Sequence, residues 1–252
     1  MGKRKDDIAV IDWQGYQGTS AVFPVCMKSP AVNGRSLRAQ MLAAKERIDE
    51  LVIVLCDSLD RYNMAHLTDA KAHCIKAGDI WLEANLPVIK EYFSSVQLLR
   101  WENDIRTHAA FEGKLKQVQN LYEQSSAVRE LRDAMSFYYL HSKRKRFESD
   151  YKNGLAKSFD IDAALKSSAD YLDEEFAGDM VYYDLTGGLP HIYWGLFVDD
   201  HEIFSRASGM NMAFPQTLAV SSQRHGLSCA ASKLPNTKEL KPSILTELPQ
   251  AA

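Results

Sequence analysis

The stretch "SAVFPVCM" (residues 20–27), followed by "RSLRAQMLAAKERI" (35–48) and then "ELVIVLCD" (50–57), decides the fold. Both outer runs are apolar nearly throughout and rich in β-branched residues, as strands covered on two faces must be. Between them Leu37, Met41, Leu42 and Ile48 recur near helical spacing. The three pieces read as a βαβ unit, whose crossover is right-handed and whose strands are parallel.

Further along, a long helical pattern runs from about Met64 to Phe93, a strand is expected at "SVQLLRW" (95–101), and helical material continues to about Arg146. Another helix is expected across "SADYLDEEFAGDM" (168–180). Two more strands are expected at "DMVYYDLT" (179–186) and "PHIYWGLFVD" (190–199), separated by the turn signal Gly187-Gly188. This alternation predicts an α/β protein: a Rossmann-like, open, mostly parallel sheet with helices on both faces, in a single domain. The domain is expected over residues 1–204, with 205–252 a partly flexible C-terminal extension, because periodicity there fades into Ser, Pro, Lys and Thr. No internal repeat is visible.

Composition narrows the function classes. The 252 residues are 46% hydrophobic and 25% charged, enough for one large core. With 33 acidic and 30 basic residues the net charge is −3, so a nucleic-acid partner would have to use a local patch. Cys26, Cys56, Cys74 and Cys229 form no CxxC pair, which argues against a disulfide framework or a zinc site and for small buried hydrophobes in a reducing compartment. His66 and His73 have no third ligand at metal spacing, and we read no metal site. No stretch approaches the length of a membrane span and the N-terminus has no apolar signal core, so a cytoplasmic protein with no membrane partner is expected.

Candidate chemistry gathers at three places. Ser29 stands just past the carboxyl end of the first strand, where an open α/β sheet presents reactive groups; serine before proline is also an ordinary turn starter. The loop has no GxxxxGK[ST], no GxGxxG and no GxSxG, so the commonest assignments for this architecture lose their motif. Asp57, at the end of the second strand, is placed either to touch a ribose or an amine or to cap a turn. Tyr171 and Glu175 lie four apart, which on a helix stacks a phenol and a carboxylate on one face. The plain alternative puts Tyr171 in the core and leaves Glu175 solvated beside Asp173 and Glu174.

Taken together, "KSPAVN" (28–33), "VLCDSLDRYN" (54–63), "AGDIWLEANLP" (77–87), "LLRWEND" (98–104) and "YLDEEFA" (171–177) resemble the tRNA-dependent cyclodipeptide synthases, which share the catalytic fold of class I aminoacyl-tRNA synthetases. The resemblance covers about residues 6–200. Its last motif is a tyrosine, three residues, a glutamate, one residue, then proline or alanine. Departures stand at Phe23, Met27 and Val32, where the family usually has histidine, glycine and asparagine; Asn33 follows directly.

The resemblance implies that Ser29 takes an aminoacyl group from a charged tRNA, that Glu175 holds the substrate's α-ammonium and that Tyr171 orients the aminoacyl moiety. It implies a substrate pocket drawing on Tyr193, Asn33, Asp57, Val25 and Met27. Two aminoacyl-tRNAs would bind in turn and condense to a 2,5-diketopiperazine through aminoacyl-serine and dipeptidyl-enzyme intermediates. The ester is already activated, so no ATP and no other cofactor is needed. For the tRNA, the basic residues available are Lys71, Lys76 and Lys90 on the long helix and the block Lys143, Arg144, Lys145, Arg146. The departures suggest a divergent branch, one candidate being that which makes arginine-containing products, with an acidic second pocket for a guanidinium. Two other classes stay open: a non-catalytic tRNA- or nucleotide-binding protein on the same fold, and a serine-dependent hydrolase or transferase with His191 or His201 as base. Sequence leaves the oligomeric state undetermined.

Overall fold

A computed structural model describes residues 8–26, 29–64, 67, 69–126, 128–137, 140, 152, 161–193, 216–224 and 227–228. Its strands are β1 (Ile8–Ile11), β2 (Ser20–Val25), β3 (Glu50–Leu55), β4 (Ser95–Arg100), β5 (His191–Tyr193), β6 (Thr217–Arg224) and β7 (Leu227–Ser228). They form one sheet in the order β1-β6-β5-β2-β3-β4, with β7 paired to β6. The β2–β3, β3–β4, β2–β5 and β5–β6 pairs are parallel; β1 and β7 run antiparallel to β6. The chain is thus a mixed α/β single domain with a mostly parallel sheet among helices.

The expected βαβ unit stands as β2, helix α1 (Gly34–Lys45) and β3, in a register that pairs Ser20 with Glu50 through Val25 with Leu55. The pleat divides its side chains between two cores. Ala21, Phe23 and Val25 pack with Leu37, Met41 and Ala44 of α1 and with Trp81 and Ile89 of α2 (Ala70–Lys90). Val22, Val52, Val54 and Cys56 pack on the other face, against α3 (Phe111–Gln124), the helical residues 128–137 (α4) and α5 (Ile161–Leu185). Both faces being covered is why the two strand sequences are apolar without alternation.

Three expectations change. The strand expected at 179–186 does not exist: α5 continues through Leu185. Every residue from Tyr171 to Tyr182 is buried, so this part of the helix has no solvent-exposed face to alternate with an apolar one, and its Val and Tyr content imitated a strand. The long helix starts at Ala70, after a 3₁₀ turn at Ser58–Met64. Three strands also went unanticipated: β1, and β6 and β7, which lie in the stretch expected as an extension, β6 sitting between β1 and β5 in the sheet. The Gly187-Gly188 turn is real, with both residues at positive φ, 69° and 86°, and it leads from α5 into β5.

Candidate active site

β2 ends at Val25, and Ser29 caps a short 3₁₀ turn at Pro30–Val32 that leads into α1. Pro30 suits that first turn because it fixes φ and has no amide hydrogen to satisfy. The half-buried Ser29 accepts the Ala31 N–H on its Oγ at 3.3 Å, and its own N–H donates to the Cys26 carbonyl at 2.9 Å. Asn33, exposed at the N-cap of α1, donates its side-chain N–H to the Ser29 carbonyl at 3.3 Å. Serine and asparagine therefore stabilise one loop between them.

Cys26 joins this loop to α5. Its Sγ lies 3.6 Å from the Tyr171 hydroxyl, which donates to Glu175 Oε1 at 3.2 Å. At the carboxyl end of β2 Cys26 thus meets Ser29 through the main chain and Tyr171 through its side chain. The phenol and the carboxylate share a helix face, as their spacing required. Glu175 is not solvated: it is 6% exposed, and Tyr171 4%.

The same face continues beyond the expected motif. Asp179 is one turn past Glu175, and Tyr182 three residues further. Burial pushes the Asp179 carboxyl well above the usual range, and the nearby Glu175 charge adds to this, so the two acids do not both ionise readily. Burial and then the Asp179 charge push the Tyr182 phenol up as well. The Tyr182 hydroxyl lies 2.7 Å from His191 Nδ1, and His191 Nε2 lies 2.6 Å from Thr217 Oγ1. Both ring nitrogens of His191 are thus engaged away from Ser29, so His191 is not placed as a base for it. His201 lies outside the described residues.

The other two buried acids of α5, Glu174 and Asp173, are each held by arginine. Glu174 takes the fork of Arg61 at 2.9 and 2.6 Å, together with the Tyr62 hydroxyl at 3.0 Å and the Trp101 Nε1–H at 2.9 Å. Burial beside that carboxylate pushes Tyr62 up to about 12. Asp173 takes Arg132 through two bonds of 2.8 Å. Trp101 opens a π-helical turn, Trp101–Arg106, and lies so close to α5 that a Cβ on Gly178 would stand 2.2 Å from its ring; only glycine admits that approach.

The remaining expected residues divide. Tyr193, at the end of β5, stacks on the His191 ring at 5.5 Å, next to the α5 network. Val25 packs in the core with α1 and α2, and Tyr171 in the core on the other face of the sheet. Asp57 is fully buried and occupied: its Oδ1 takes the Ser58 N–H at 2.8 Å and its Oδ2 takes Arg100, which also binds Asp79. Lys71, Lys76 and Lys90 are exposed on α2, with Lys71 paired to Glu102 at 2.5 Å. Met27, His66, Cys229 and the block Lys143, Arg144, Lys145, Arg146 lie outside the described residues.

Sequence reasoning missed Asp179, Tyr182 and the Cys26 link. The first two carried a signal, since 171, 175, 179 and 182 follow helical spacing, but the strand drawn from Asp179 cut it short. Cys26 carried none, because its role depends on a contact across 145 residues of chain.

No protein-family profile matches the chain, and no curated protein matches it. Solved structures do. A cyclodipeptide synthase from Fluoribacter dumoffii superposes with a TM-score of 0.71 at 15% identity, over 87% of this chain and 100% of that one. One from Candidatus Glomeribacter gigasporarum, bound to Phe-tRNAPhe, gives 0.63 at 21% identity, over 86% and 91%. A Mycobacterium tuberculosis protein, whose structure relates cyclodipeptide synthetases to type I tRNA synthetases, gives 0.51 at 12%, over 87% and 97%. The fold is the one these enzymes share.

Proposed function

We propose that this chain is a tRNA-dependent cyclodipeptide synthase. The observation that carries the reading is the buried Tyr171–Glu175 hydrogen bond, whose phenol meets Cys26 three residues before Ser29, on a fold shared with solved synthases. Ser29 Oγ attacks the ester carbonyl of the first aminoacyl-tRNA; the Oγ–C bond forms, the bond to the tRNA 3′-terminal ribose breaks, and the serine proton leaves with the tRNA hydroxyl. The aminoacyl-serine amine, once neutral, attacks the second ester and releases the second tRNA. The new N-terminal amine then attacks the serine ester, closing the diketopiperazine and restoring the hydroxyl. Each step exchanges one ester for a more stable bond or another ester, so no cofactor enters.

Glu175 faces the amine in each attack. An ammonium must lose its proton before it can react, and a carboxylate beside it holds the charged form and then accepts the proton. The raised Asp179 carboxyl keeps a second negative charge from accumulating behind it. Tyr171, fixed between Cys26 and Glu175, orients the aminoacyl group by its hydroxyl. Asn33 holds the Ser29 loop. The relatives do not single out the arginine-containing branch, and Asp173 and Glu174 already hold the protein's own Arg132 and Arg61.

The test is incubation of the purified chain with a mixture of tRNAs charged with labelled amino acids. We expect cyclic dipeptide in solution and one aminoacyl adduct at Ser29 in the mass of the quenched protein. Ser29→Ala should abolish both, and undiminished product from that variant would end the proposal.

A further inference from the structure

We infer that α1, rather than α2, is the surface that receives the acceptor arm of tRNA; this rests on the synthase reading above. Arg35, Arg38 and Lys45 are all exposed on α1, and with Leu42 they span about 80° of the helix circumference, away from the buried stripe of Leu37, Gln40, Met41 and Ala44. Among the described α-helices α1 is the one without an Asp or Glu, and the first carboxylate, Glu46, stands after its last cation. No described residue pairs a carboxylate with Arg35 or Arg38; Lys45 rests over the Tyr92 ring at 5.8 Å. On α2 the cations Lys71, Lys76 and Lys90 share the helix with Asp79 and Glu83; Lys71 pairs with Glu102 and Asp79 with Arg100, so charges of both signs offset one another there.

The stripe is continuous with the reacting group. Ser29 leads through Asn33, whose side chain holds its carbonyl, directly into Gly34 and Arg35. A phosphate backbone following Arg35 to Lys45 would run about 15 Å along the helix and leave its 3′ end at the Ser29 loop. The positive end of the helix dipole lies at that same end and adds to the attraction.

Binding of deacylated bulk tRNA, measured against salt concentration, tests this. We expect the triple variant Arg35→Ala, Arg38→Ala, Lys45→Ala to bind roughly tenfold or more weakly near 0.1 M salt, with the log–log salt slope reduced by about two. The triple variant Lys71→Ala, Lys76→Ala, Lys90→Ala should change less. Equal affinity and slope for the α1 variant, or a larger loss from the α2 variant, overturns the inference and leaves the synthase reading standing if the wild type still makes product. A wild type that binds no tRNA, or binds only phosphatidylserine vesicles, overturns both. Circular dichroism of the α1 variant matching wild type ties a loss of binding to charge.

Discussion

Helices α1 and α5 each carry a run of like charge, and the two runs end in opposite surroundings. The cations of α1 are exposed, with no carboxylate bound to Arg35 or Arg38 among the described residues. The acids of α5, from Asp173 to Asp179, are buried, and Asp173 and Glu174 are each gripped by an arginine from elsewhere in the chain. A charged helix in sequence therefore does not declare its side of the surface. What decides is whether the fold brings it partners, because an ion leaves water only if opposite charge and hydrogen bonds replace the solvent.

The strongest way to break this comparison is to remove one partner. Arg61→Ala takes the fork from Glu174, 3% exposed, leaving Arg106 at 3.5 Å as its remaining cation, and should lower stability by about 2 to 4 kcal/mol in urea unfolding; a loss below about 1 kcal/mol would mean that α5 holds its acids without the fork. Next comes the approach of α5 to Trp101. Gly178→Ala forces a methyl against the ring and should cost about 1 to 3 kcal/mol in the same assay, whereas an unchanged midpoint would show that the helix can move aside.

The pH dependence sharpens the contrast. Asp179 titrates higher in the fold than its ordinary 3.8, so just above that pH the native state keeps a proton that the unfolded chain releases. Stability should therefore fall as pH rises from about 4 toward the raised native value, and Asp179→Asn should flatten that part of a melting-temperature profile. A profile identical to wild type would refute the buried-acid assignment. The smallest effect is expected on α1: Arg35→Ala with Arg38→Ala should leave the melting temperature where it was, since both side chains are exposed.

The legible parts of the fold were those whose physics is local. Residues 20–57 announced β2, α1 and β3 because strands sandwiched between two layers must be apolar throughout. Tyr171 and Glu175 were legible because four residues is one helical turn. The end of α5 was not, since a helix enclosed on all sides loses the polar stripe by which helices are recognised. The arginine partners were hidden for another reason: Arg61 meets Glu174 across 113 residues and Arg132 meets Asp173 across 41, distances at which no short motif reports contact. The partition of β2 was not legible either: both its faces are apolar, so sequence does not say that Val25 packs with α1 and α2 while Val22 packs with α5.

The placement of β6 bears on how the protein comes off the ribosome. Ile11 of β1 pairs with Val220 of β6, 209 positions later by subtraction, and β6 also flanks β5, where Thr217 grips His191. At typical rates of synthesis the first strand waits roughly 10 to 40 s for its neighbour to be made. Until then its main-chain hydrogen-bonding groups are an open edge that a nascent chain must shield by other means.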